Sequence, residues 1–172
     1  MLNVFLDTNV IIDFMAHRDE FFDDAAIIVS LAINKKLKLH VASMSFATAS
    51  YILSRKVDDS KVKMIIGNFC NFCKVDVVDA DCVEYGVTSK FKDFEDAMQF
   101  RCAQNANVDY IITRNVKDFE ESTITALTPI IRKTKCFVTA KRNVLFAKRS
   151  VYKKELLLYC DTRGTLFLFV NT

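Results

Sequence analysis

Three glycines and one proline in 172 residues exclude the loop-rich, low-complexity and disordered classes. Half of the side chains are apolar, at 51%, enough for one domain with a sizeable core. No apolar run approaches the roughly 20 residues that a bilayer span requires. The opening MLNVFLDTNV has no basic stretch and carries Asp7, unlike a secretory leader. A cytoplasmic chain with no membrane partner is expected. Also missing are a glycine-rich phosphate loop, a G-x-S-x-G elbow and a convincing Cys/His pair. Histidine occurs twice. Six cysteines stand at 70, 73, 82, 102, 136 and 160. The single C-x-x-C, CNFC at 70–73, reads as a helix end with no second pair beside it. Reduced thiols packed in the core are the simplest account.

What is present alternates. LNVFLD (2–7) is a nearly continuous apolar run, the pattern of a central strand. NVIIDFMAHR continues as a short helix. DEFFDDAAIIVSLAINKK carries acids in its first turn and lysines in its last, suited to a helix dipole. LKLHVA is a second strand. SMSFATASYILSRK is a helix that Ser43 is expected to cap. Another helix starts at Asp58 or Asp59, and KVDVVDA is a strand. DCVEYGVTSK is a short helix, and Asp93 opens a longer one through about Asn105. VDYIIT and ITALT (124–128) are the last strands of the series. Strands alternating with helices from residue 2 to 128 predict an α/β fold with a mainly parallel sheet. Its functional crevice should lie beyond the carboxyl ends of the strands.

After Pro129 the pattern changes. Residues 132–172 carry ten Lys/Arg against two acids, net +8, whereas residues 1–131 are net −5. The expected division is a domain over 1–131 and a basic extension over 132–172, with a β-hairpin at 156–170. A basic tail on a slightly acidic body suits a polyanion. Lys141, Arg142, Lys148 and Arg149 are its candidate contacts.

The acids of the body raise a sharper question. Asp7 closes the first strand, Asp96 lies in the first turn of the later helix, and Asn115 and Asp118 follow VDYIIT. A parallel sheet gathers strand ends and the following helix starts at one edge, so these side chains converge. Several carboxylates in a small space raise one another's pKa. A divalent cation relieves the repulsion, and hard oxygen ligands suit Mg²⁺ or Mn²⁺. Each acid also has an ordinary use: Asp93 as an N-cap with Asp96 completing a capping box, Glu95 favouring the helix dipole, Asp118 in a turn. Asp7 is the hardest to explain that way, except as the cap of the next helix.

FLDTNVIIDF, DFEDAMQFRCAQNANVDYIITRN and KDF resemble the PIN-domain family, in particular the VapC-type toxin ribonucleases, over about residues 2–131. The resemblance implies a three-layer α/β/α sandwich and Mg²⁺- or Mn²⁺-dependent endoribonuclease activity leaving 5′-phosphate and 3′-hydroxyl ends. By position it makes Asp7, Asp96 and Asp118 catalytic metal ligands, with Asn115 beside them. Thr8, Asn9, Asp93, Glu95 and Thr113 would support the site, and Arg114 would contact phosphate. RNA as substrate, an antitoxin protein as inhibitor, and a homodimer are likewise implied.

One departure matters. The family carries a Glu early in the helix after the second strand. Here Thr48 takes that place, and no acid occurs from His40 to Val57. Glu95 or Asp93 is the candidate to compensate. The competing reading is a PIN-like RNA-binding or partner-binding module with weakened catalysis. A haloacid dehalogenase-type phosphatase would need D-x-D after strand one, where this chain has D-T-N.

Overall fold

The computed structural model describes residues 1–129, 156–160 and 166–170. The chain divides into two units, Met1–Pro129 and Ile130–Thr172. The elements of the first are β1 (Leu2–Leu6), α1 (Thr8–Met15), α2 (Asp19–Ile33), β2 (Leu37–Ala42), α3 (Ser43–Ser54), α4 (Asp59–Cys70), β3 (Cys73–Asp76), α5 (Ala80–Thr88), α6 (Phe94–Asn105), β4 (Tyr110–Ile112), a 3₁₀ turn (Val116–Phe119) and β5 (Ala126–Leu127). In the second unit β6 (Leu156–Cys160) pairs antiparallel with β7 (Leu166–Val170), Leu158 opposite Leu168. The charged stretch 132–154, with Lys141, Arg142, Lys148 and Arg149, lies outside the described residues.

The five strands of the first unit form one parallel sheet in the order β3-β2-β1-β4-β5, flanked by six helices. This is the parallel α/β fold that the alternation predicts, in the α/β/α arrangement that the family resemblance implies. β1 takes the centre because it is apolar on both faces; Val4, Phe5 and Leu6 are all buried. Phe5, Ala42 and Ile111 pack with Met98, Phe100, Cys102 and Ala103 of α6 and with Cys82 of α5. Aromatics join α1, α2 and α4 in another group: Phe14 contacts Phe22, Phe69 and Phe72 at 5.7–6.4 Å between ring centres. From β3 the chain crosses back to place β4 on the other side of β1. The strand order therefore reverses between β1 and β4, and a crevice opens beyond their carboxyl ends.

The shortage of glycine shows at the helix ends. α1, α2 and α6 each stop in a left-handed residue that is not glycine: His17 (φ 47°), Lys35 (φ 54°) and Asn107 (φ 52°). In each the paired end hydrogen bonds form, such as Lys36 N–H to Leu31 O at 2.9 Å and Lys35 N–H to Ala32 O at 2.9 Å. Gly67 and Gly86 lie inside helices instead.

Two local expectations change. Ala42, not Ser43, is the N-cap of α3; Ser43 has moved into the first turn, where its hydroxyl accepts the Val78 N–H at 3.2 Å. The C-x-x-C joins the last residue of α4 to the first of β3, and Cys70 is exposed rather than packed in the core. Burial pushes the Cys73 thiol up to about 12, so it is a poor nucleophile. Cys82 and Cys102 are the buried thiols of this unit.

Candidate active site at the β1–β4 edge

Asp7 leaves β1 in extended conformation and caps α1, its carboxylate facing the Asn9 N–H. It is 3% exposed. Its Oδ2 accepts from Thr113 Oγ1 at 2.6 Å and from the Asn9 side-chain amide. Its Oδ1 accepts from Gln99 Nε2 at 3.2 Å. Thr113 follows β4, and its hydroxyl oxygen also takes the Asn115 N–H at 3.0 Å and Asn9 Nδ2 at 3.2 Å. Both of those groups can only donate, so the Thr113 proton must point at Asp7. Gln99 is fixed by the same logic. Its Oε1 accepts the Thr8 N–H at 3.1 Å, which turns its amide nitrogen toward Asp7. Burial raises the Asp7 pKa, and these donors pull against it.

α6 supplies the opposite wall. Asp93 is its N-cap, its Oδ1 accepting from Glu95 N at 2.8 Å and Asp96 N at 3.1 Å. Asp96 is half-buried, and its pKa is pushed up to about 7. Loss of solvation is the largest cause, followed by repulsion from Asp7, Asp93, Asp118 and Glu95. Glu95 Oε1 accepts from Thr8 Oγ1 at 3.0 Å, and Thr8 Oγ1 lies 2.8 Å from Ser45 Oγ on α3. Asp118, in the 3₁₀ turn, is exposed. It shares a hollow with Asp93, Asp96, Glu120 and Glu121, and Lys90, Lys92 and Lys117 line the same hollow.

The residues singled out in the described sequence thus meet at one edge: Asp7, Thr8, Asn9, Asp93, Glu95, Asp96, Thr113, Asn115 and Asp118. Arg114 is nearby, but its guanidinium is engaged. Nε is 3.2 Å from Oδ2 of Asp13, a buried acid, and the group lies 4.4 Å over the Phe21 ring. Gln99, Ser45 and Asp13 were not foreseen. Neither histidine joins the site: His40 is buried against Asp76 at 2.7 Å, and His17 stacks on Phe22. The donors are therefore oxygens. Such a set suits a hard divalent cation, and the mutual repulsion at Asp96 is what a cation would relieve. Among the described residues, the one trio of ligand atoms within 4.8 Å of one another is elsewhere, at Asp79, Asp81 and Cys82.

A PIN domain family model matches residues 3–117. No curated protein matches the chain. Among solved structures, the VapBC2 complex of Rickettsia felis bound to a promoter DNA fragment is similar, with a TM-score of 0.56 and 17% identity over 74% of this chain and 98% of that one. A toxin–antitoxin complex from Klebsiella pneumoniae has a TM-score of 0.56 and 19% identity over 74% and 98%. VapC20 of Mycobacterium tuberculosis, a toxin that cleaves the sarcin–ricin loop, has a TM-score of 0.51 and 16% identity over 63% and 86%.

Proposed function

The chain belongs to the PIN-domain family, and from that premise we propose that it is a Mg²⁺- or Mn²⁺-dependent endoribonuclease, the toxin half of a toxin–antitoxin pair. The observation that carries this reading is the state of Asp96. Loss of solvation, together with repulsion from Asp7, Asp93, Asp118 and Glu95, pushes its pKa up to about 7, while the Arg114 guanidinium is paired with Asp13 instead. A bound metal ion would relieve that repulsion.

Asp7, Asp96 and Asp118 would hold the metal, with Asn115 beside them. When bound, the ion neutralises the scissile phosphodiester and makes water more acidic. The chain's own part is positioning. Thr113, Asn9 and Gln99 hold the Asp7 carboxylate in one orientation, so little rearrangement is needed when the ion and RNA arrive. Lys90, Lys92 and Lys117 in the hollow supply positive charge for the RNA backbone next to the acids. The basic stretch 132–154 adds a second polyanion contact. Cytoplasmic location, a homodimer and inhibition by an antitoxin that occupies the crevice complete the proposal; the solved complexes from Rickettsia and Klebsiella support the antitoxin.

Mn²⁺ titration calorimetry on the wild type and Asp7→Asn tests the reading, paired with RNA cleavage with and without EDTA. Binding lost in the variant and cleavage lost in EDTA are the expected results. Full cleavage in EDTA would overturn it. The acid-free span from His40 to Val57, with Thr48 in α3, favours a second reading: an RNA- or partner-binding module whose catalysis has weakened. That module would bind RNA in a salt-sensitive way without cutting it.

A further inference from the structure

Three walls of the crevice contribute acids: β1 through Asp7, α6 through Asp93, Glu95 and Asp96, and the turn after β4 through Asp118. α3, which reaches Thr8 through Ser45, contributes none. What α3 does contribute is a hydroxyl. Ser45 Oγ lies 2.8 Å from Thr8 Oγ1, and Thr8 Oγ1 lies 3.0 Å from Glu95 Oε1. A carboxylate can only accept, and a hydroxyl has one proton to give. The Thr8 proton therefore goes to Glu95, and the Ser45 proton goes to Thr8. Both hydroxyl residues are buried, Ser45 at 0% and Thr8 at 6% exposure.

An acid in the first turn of a helix needs only the helix dipole to account for it. A buried two-hydroxyl relay reaching it from two other elements is more than that role requires. It pins one Glu95 oxygen beside the residue that follows Asp7 in the chain. The other oxygen, Oε2, makes no hydrogen bond among the described residues. Asp93, the other acid able to compensate for α3, is differently placed. It is exposed, and its Oδ1 already accepts the two N–H groups that cap α6.

Resting on the metal-dependent reading above, we propose that Glu95 is a further carboxylate ligand of the cation site, supplying from α6 the negative charge that α3 lacks, with Ser45 and Thr8 as its positioning residues. The test is Mn²⁺ titration calorimetry on the full chain. Glu95→Gln keeps the length of the side chain and an oxygen for Thr8, and removes only the charge. It should weaken Mn²⁺ binding by about tenfold or more. Glu20→Gln, the same loss of charge in the first turn of α2, should leave binding within about twofold. Thr8→Val should weaken binding while Glu95 keeps its charge, and Thr8→Ser should restore it, with circular dichroism showing that both variants fold. Wild-type affinity in Glu95→Gln would overturn this inference and leave the metal site standing. Failure of Thr8→Ser to restore what Thr8→Val loses would overturn the positioning role. Absence of Mn²⁺ binding in the wild type would overturn both the inference and the function it rests on.

Discussion

Two groups of acids stand at the starts of neighbouring helices, and their surroundings differ. At α5, Asp79 caps the helix by accepting the Cys82 N–H at 3.1 Å, and Asp81 receives Arg101 through Nε at 2.7 Å and Nη2 at 3.0 Å, with Asn105 at 3.2 Å. That guanidinium holds the Asp81 carboxyl below its usual range. The Cys82 thiol beside it is buried and pushed up, which makes it a poor ligand. At α6, Asp93, Glu95 and Asp96 share a site with Asp7 and Asp118, and Asp96 is driven up to about 7. The tighter cluster is therefore the electrically satisfied one. Closeness of ligand atoms alone does not mark a cation site; carboxylates with no guanidinium paired to them raise one another's pKa, the condition that a cation would relieve.

The strongest attempt to break this contrast is Asp7→Asn. It should cost roughly a thousandfold or more in RNA cleavage, the scale of several kcal/mol of lost charge stabilisation, and should abolish Mn²⁺ binding in calorimetry. Asp81→Asn in the same assays should change neither.

Gln99→Leu comes next. It leaves the buried Thr8 N–H without a partner and takes from Asp7 Oδ1 one of its two donors, the Asn9 N–H remaining, for about 1–3 kcal/mol of stability measured by urea unfolding. A loss no greater than that of a surface substitution would show that the clamp is idle.

The pH dependence sharpens the comparison. Asp96 titrates near 3.8 when unfolded and near 7 in the fold. The folded state thus holds the proton more tightly, and the metal-free protein should lose stability as pH rises through that window. Asp96→Asn should flatten the slope of Tm against pH, and Mn²⁺ should raise Tm more at pH 8 than at pH 5, where protons compete. A flat wild-type profile would count against the crowding.

The smallest effect belongs to Arg101→Leu. It takes the guanidinium from Asp81 at the surface and leaves Asn105, and Mn²⁺ affinity and cleavage should both stay as in the wild type. A second Mn²⁺ equivalent bound by this variant would mean that the guanidinium alone keeps α5 from being a cation site.

Much of this was legible in the sequence because it is local. β1 reads from a run of apolar residues closed by Asp7, and the α6 cap reads from Asp93 two and three residues ahead of the N–H groups it accepts. The sheet follows from alternation. Gln99 was not legible, since its partners are 91 and 92 residues away. The one available signal was a long polar residue inside a stretch, Ala97 to Phe100, that is otherwise apolar and buried. Ser43 looked like a cap because it precedes an apolar helix, yet β2 runs into α3 with no residue between them, and Ala42 takes the capping position. Arg114 reads as a phosphate contact from its position, whereas the structure adds Asp13, a buried acid that no periodicity separates from the apolar residues around it.

The hydrogen bond from Thr113 to Asp7 spans 106 residues of chain. During synthesis the first acid is made at the start, while the residues that orient it from β4 arrive more than a hundred peptide bonds later. No nascent chain short of β4 can close the centre, however well its earlier helices have formed. The centre is therefore a product of the whole sheet: it closes only when the first strand and β4, made at opposite ends of the unit, have come together.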